Sequence, residues 1–148
     1  MKTAIVYVST HHGNTKKLCD AIRAADDGVV LIDGTEETGP ALAAYDRIGF
    51  AAGIDNGSFY RPMLALMRAC LPEGKDVFLL YTCGMVCGGY ADAAEKIVRD
   101  SGCRLLGTYG CTGWDTSGAF RLMGGVAKGH PDAGEIAGAV AFYHGLKG

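Results

Sequence analysis

No apolar run in this 148-residue chain is longer than a β-strand, so no segment offers a membrane-spanning helix. The start, Met1-Lys2-Thr3, leads into too brief an apolar stretch for a secretory signal, and a cytoplasmic protein is the expectation. Charge clusters are equally scarce. The 14 Lys and Arg stand against 16 Asp and Glu, for a formal net charge of -2, without a basic face for nucleic acid or a charged run for a disordered tail. There is no internal repeat and no low-complexity segment. Six cysteines are present, but none are spaced C-x-x-C, as a thioredoxin-like pair or half a zinc site requires. A cysteine phosphatase loop, C-x5-R, is also missing, because Cys83 has Gly89 where the arginine would fall.

What is present is apolar content enough for one core. Hydrophobic residues make up 49% of the chain, and the length is too short for two comfortable domains, so residues 1–148 are read as a single domain. Thr3 to Val8 is a continuous apolar run, the mark of a strand covered on both faces. From Asn14 to Ala25, Leu18, Ala21, Ile22 and Ala25 share one helical face and Lys16, Lys17, Asp20 and Arg23 the other. Val29 to Ile32 is a second strand, followed by a polar stretch that leaves only Ala41 to Ala44 for a short helix. Further strands are expected over Ile48–Ala52, Val77–Tyr81 and Arg104–Tyr109. Helices are expected after Pro62, through Ala94, Ile97 and Val98, and after Asp132, where Glu135 completes a capping-box spacing. Cys19, Cys70 and Cys103 fall in or beside these elements and read as reduced, structural thiols. Cys83 and Cys87 flank a glycine-bearing loop, and a regulatory disulfide between them is the lesser reading.

Between the first strand and its helix lies Ser9-Thr10-His11-His12-Gly13-Asn14-Thr15. The first N–H groups of a helix lack intrahelical partners and carry the positive end of its dipole, so such a junction attracts an anion. Ser9, Thr10, Asn14 and Thr15 add side-chain donors, and the loop carries no lysine or arginine. That suits one terminal phosphate monoester better than a polyphosphate, for which a lysine is needed. An ordinary polar turn that binds nothing is the alternative for this string taken alone. Two more glycine-bearing loops, Gly53–Tyr60 and Thr82–Tyr90, follow the third and fourth strands. Strand–helix alternation five times over predicts a parallel sheet with right-handed crossovers, which would bring all three loops to its carboxyl edge. From Gly110 to Pro131 runs a long glycine-rich connection with the one tryptophan, Trp114.

The stretch Ala4 to Thr15, AIVYVSTHHGNT, resembles the signature of the flavodoxins, and the resemblance covers essentially the whole chain. It implies a flavodoxin-like three-layer α/β/α fold with a five-stranded parallel sheet in the order 2-1-3-4-5. It also implies FMN as cofactor, with the phosphate held by Ser9, Thr10, His11, His12, Gly13, Asn14 and Thr15. Asn56, Gly57 and Ser58 match the loop bordering the flavin ring near its N5, with Phe59, Tyr60 or Trp114 as candidates for the inner ring contact. Thr82, Cys83 and Gly84 match the loop along the other edge, and Tyr90 is the nearest candidate for the stacking aromatic. The function implied is one-electron transfer between redox partner proteins, by a monomer or weak homodimer with no metal. Two departures stand out: Asn56 occupies the place where many flavodoxins carry an aromatic, and the chain is nearly neutral where the electron carriers are usually strongly acidic. One alternative is an FMN-dependent NAD(P)H or quinone oxidoreductase, with Arg121, Lys128 or His130 facing a substrate. Another is a flavin-free binding module of the same fold.

Overall fold

The computed structural model describes residues 1–10, 12–116 and 118–147, so His11 of the predicted phosphate loop lies outside the described residues. The elements are β1 (Thr3–Val8), α1 (Asn14–Ala25), β2 (Val29–Asp33), β3 (Arg47–Asp55), β4 (Ser58–Phe59), α2 (Arg61–Cys70), β5 (Asp76–Cys83), α3 (Asp92–Asp100), β6 (Arg104–Thr112), a short 3-10 helix (Gly118–Met123) and α4 (Ala133–His144). The sheet runs β2-β1-β3-β5-β6, all parallel, with β4 folded back antiparallel on β3. With β4 set aside, the five long strands have the expected order 2-1-3-4-5. Among the described residues, no helix is long and apolar enough to cross a membrane.

Each face of the sheet carries a core. Ile5 and Tyr7 of β1 point to one face with Ala51, Phe78 and Leu80, where Leu18 and Ile22 of α1 and Ala139 and Tyr143 of α4 cover them. Ala4, Val6 and Val8 point to the other, with Phe50 and Leu79, under Met63 and Met67 of α2 and Ala94 and Val98 of α3. Both faces being covered is why β1 reads as an unbroken apolar run. The methionines of α2 are core, as helical spacing implies. Complete burial of each large ring, Phe50 and Phe78, contributes about 2–3 kcal/mol.

Three expectations need correction. Ala41–Ala44 forms no helix: four residues behind Gly39-Pro40 are too few to nucleate one, and Lys75 Nζ binds the Ala43 and Tyr45 carbonyls instead (2.7 and 2.8 Å). Leu42, buried, pins this segment, so the alternation of strand and helix fails between β2 and β3. The third strand reaches Asp55 because Asn56 and Gly57, at φ 52° and 77°, make a two-residue hairpin turn that pairs Asp55 with Ser58. The last two strands also run further than Tyr81 and Tyr109. Tyr81, Thr82 and Cys83 pair with Gly110, Cys111 and Thr112, and Gly110 leaves room for the Tyr81 ring where a Cβ would stand 2.0 Å from it.

Candidate functional site

Leaving β1 at Val8, the chain passes Ser9 and Thr10 and turns through His12 and Gly13, both at positive φ, into α1 at Asn14. The N-cap residue Gly13 supplies no side-chain cap, and the first turn of α1 contains no acid. Ser9 Oγ accepts from the Lys16 N–H at 3.2 Å, which leaves its own O–H to donate elsewhere. Thr15 and Thr82, both buried, meet hydroxyl to hydroxyl at 2.8 Å and tie α1 to the end of β5. This acid-free helix start borders a cavity of about 320 Å³ lined by Ser9, Thr10, Thr15, Gly53, Ile54, Asp55, Tyr60 and Thr82.

A second cavity of about 320 Å³ lies beyond it, where the β3–β4 turn (Asn56, Gly57) faces the loop after β5 (Cys83, Gly84, Met85, Cys87, Tyr90), with Asp115 and Phe120 completing the wall. A narrow middle cavity, lined by Asn14, Thr82, Cys83, Gly84, Gly113 and Trp114, shares Ile54 with both. The three form one groove along the carboxyl edge of the sheet, with a hydroxyl-rich end and an end held between two loops. Burial pushes the Cys83 thiol up to about 11. The neighbouring Cys87 thiol, with burial, pushes the Tyr90 phenol to about 12, and Tyr90 also donates to the Met85 carbonyl at 2.9 Å.

The glycine-rich connection packs against the start of α1 and lines the second and middle cavities. Trp114 stacks on His12, ring centroids 3.9 Å apart and planes 20° off parallel. Its carbonyl accepts from Asn14 Nδ2 at 2.8 Å, and His12 Nε2 lies 3.0 Å from Thr116 Oγ1. Lys128 Nζ sits 5.4 Å from the indole centroid. Gly125 is required beneath the indole, since a Cβ there would come within 2.6 Å of Trp114 Nε1. Asn14 Oδ1, in the middle cavity, is a buried acceptor with no partner among the described residues.

The other end of the connection is self-contained. Asp132 caps α4 in a full capping box with Glu135, and Glu135 also accepts from the Thr112 amide (3.0 Å) and hydroxyl (2.6 Å) and pairs with His130. Partial burial alone would raise Glu135, but the Thr112 hydroxyl, the Asp132 amide, His130 and the Thr112 amide outweigh it and bring it to about 2. The hydrogen bond to Glu135 raises His130, burial opposing. His130, Asp132 and Glu135 hold three potential ligand atoms within 4.8 Å of one another, yet the contacts they make are those of a helix cap and an ion pair.

The groove thus brings together Ser9, Thr10, Asn14, Thr15, Asn56, Gly57, Thr82, Cys83, Gly84 and Tyr90 of the predicted site. His12 and Gly13 belong to the loop at its head without lining it, His12 being turned onto Trp114. Ser58 and Phe59 line none of the three cavities. Phe59 is fully buried in the core, edge-on to Tyr81 at 6.2 Å, because β4 pairing turns it inward, and so it cannot supply a ring contact. Tyr60 lines the hydroxyl-rich end instead. Ile54 and Asp55 lie in the Gly53–Tyr60 stretch expected at this edge, though in an extension of β3 and not in a loop, whereas Asp115 and Phe120 were not legible because they reach the groove only through the fold of the connection. Arg121, Lys128 and His130 line none of these cavities.

No family model matches the chain. It is 31% identical over 146 residues, 96% of its own length and 95% of the other's, to the uncharacterized protein MJ0298 of Methanocaldococcus jannaschii. A flavodoxin from the domain Archaea superimposes with a TM-score of 0.66 at 16% identity, over 95% of this chain and 92% of that one. The general stress protein 14 of Treponema denticola, solved in complex with FMN, superimposes with a TM-score of 0.63 at 13% identity, over 99% and 100%. At such identities these structures show the fold, which is flavodoxin-like.

Proposed function

The chain belongs to the same family as MJ0298, and from its flavodoxin-like fold and the chemistry of its groove we propose that it binds FMN and passes single electrons between redox partners. The observation that carries this reading is the acid-free start of α1, opening through Ser9, Thr10 and Thr15 onto a groove that runs past Ile54 to the β3–β4 turn and the loop after β5. The residues present fit the group. A phosphate would meet hydroxyls and the positive helix end, a hydroxylated chain would satisfy the orphaned Asn14 Oδ1, and a planar ring would lie between Asn56-Gly57 and Gly84–Tyr90. The FMN bound in the Treponema protein supports the choice of flavin. When bound, FMN supplies the electron-accepting ring, and the protein supplies position and electrostatics. The Asn56-Gly57 peptide, already in a turn with two positive φ values, can reorient towards the ring edge at little strain. Burial and the apolar Ile54 and Phe120 beside the groove would resist negative charge on the ring. The near-neutral net charge of the chain favours partners other than strongly basic ones.

An oxidoreductase with its own substrate wall is the competing reading, and it is weakened because Arg121, Lys128 and His130 stand away from the groove. The test is a dithionite titration of the FMN-loaded protein followed by visible absorbance. Two separable one-electron steps are expected. A single two-electron step, together with turnover of NADPH and a quinone, would replace the carrier with the oxidoreductase.

A further inference from the structure

We propose that Cys83 and Cys87 form a reversible disulfide at the end of the groove between the β3–β4 turn and the loop after β5, a thiol–disulfide site set within the wall of the cavity itself. Both residues line that one cavity. Cys83 closes β5 and is buried, while Cys87 is exposed, and the intervening chain bends at Gly84 and Met85. Gly88 and Gly89 follow, so the segment that carries Cys87 can shift without disturbing the sheet. Among the described residues, the Cys83 thiol has a 3.5 Å hydrogen bond to the Cys111 carbonyl to give up, and the Cys87 thiol its hydrogen bond with Tyr90. The remaining four thiols are placed otherwise: Cys19 and Cys111 are buried in the core on the α1 and α4 face, Cys70 packs partly buried against the opposite core, and Cys103 donates to the Pro72 carbonyl, away from the groove.

The chemistry is exchange with a low-molecular-weight disulfide, for which glutathione disulfide is the probe. The exposed Cys87 thiolate attacks one of its sulfurs, breaking the S–S bond, forming a mixed disulfide and releasing one glutathione thiolate. Cys83 then gives its proton to solvent, and its sulfur attacks that of Cys87, forming the intrachain S–S bond and releasing the second glutathione. Two cysteine thiols are oxidised by two electrons in all, and one glutathione disulfide is reduced. Burial disfavours the Cys83 thiolate, which makes Cys87 the attacking and Cys83 the resolving thiol. Both cysteines line one cavity, so the second step is intramolecular.

The test uses the full chain without flavin, equilibrated against rising ratios of glutathione disulfide to glutathione, quenched in acid and read by intact mass and peptide mapping. The expected result is loss of two hydrogens, a link mapped to Cys83 and Cys87, and full reversal by dithiothreitol. Cys87→Ser should abolish the loss, and Cys83→Ser should stop at one glutathione on Cys87. A wild-type chain that retains glutathione on Cys87, that stays fully reduced, or that links Cys83 to Cys111 would overturn the proposal. These wild-type readouts stand whether or not either variant folds.

Discussion

The chain builds two of its helix N-termini in opposite ways. At α4 it supplies its own anions: Asp132 caps the helix, Glu135 completes the box, and His130 and Thr112 converge on the same carboxylate. At α1 it supplies none: the cap is Gly13, the first turn is Asn14-Thr15-Lys16, and the loop ahead offers hydroxyls. Both ends carry the same helix dipole and the same orphan N–H groups. A finished cap stabilises the fold, whereas an unfinished one beside a cavity leaves a place for a ligand's negative charge. The connection from Thr112 to Asp132 joins the two, since the Trp114 amide donates to the His130 carbonyl at 2.9 Å and its indole covers His12.

The sharpest way to break this contrast is to give α1 an anion of its own. Thr10 is exposed and lines the cavity, so Thr10→Asp should fold normally. It should weaken FMN binding by roughly 100-fold or more, through lost donation and like-charge repulsion, and leave riboflavin binding nearly unchanged. Equal weakening of both ligands in fluorescence titrations would mean that Thr10 is nowhere near the phosphate.

The bridge between the two ends comes next. Gly125→Ala places a Cβ against the indole at a φ of 95°, which should cost about 2 kcal/mol in urea unfolding and loosen the His12–Trp114 stack. An unchanged midpoint would show that the connection is not closed over α1 in solution.

Removing the anion that α4 already has should cost stability. Glu135→Gln is expected to lower stability by about 1–2 kcal/mol at neutral pH, allowing for partial solvent exposure, and to leave FMN affinity within about threefold. The pH dependence follows from the directions of the two shifts. Glu135 is lowered from 4.5 to about 2, so its contribution is present above 4.5 and is lost as pH falls towards 2. His130 is raised from 6.5, so its contribution is full below 6.5 and fades as pH climbs through the raised value. This junction is therefore firmest between 4.5 and 6.5, and in Glu135→Gln the thermal midpoint should lose most of that acid-side dependence. At the small end of the scale, Leu122→Ser, at a side chain 90% exposed, should change stability by less than about 0.5 kcal/mol.

The contrast also explains how much could be read beforehand. The α1 junction was legible because strand, loop and helix are contiguous, and the bounds Thr3–Val8 and Asn14–Ala25 match the expectation. The α4 cap was legible for the same reason, with Asp132 and Glu135 three residues apart. Hidden were the partners brought from far along the chain: Thr82 against Thr15, and Trp114 with Thr116 against Asn14 and His12. Pairing between strands sets those contacts, and no local pattern encodes it. The β3–β4 hairpin did have a local signal, Asn56-Gly57, but the glycines and aromatics around it read as a loop, and Phe59 was consequently placed on the wrong side of the sheet edge. The absent helix at Ala41–Ala44 reflects a segment pinned by Leu42 and Lys75, again a tertiary choice.

The measurement that reaches the centre of this account is a paired fluorescence titration of the flavin-free protein with FMN and with riboflavin, which differs by the phosphate alone. If the unfinished start of α1 holds that phosphate, FMN should be quenched tightly and riboflavin should bind at least about 100-fold more weakly, the worth of two charge-assisted hydrogen bonds. Equal binding of the two, or no quenching by either, would contradict the assignment of this helix start as an anion site.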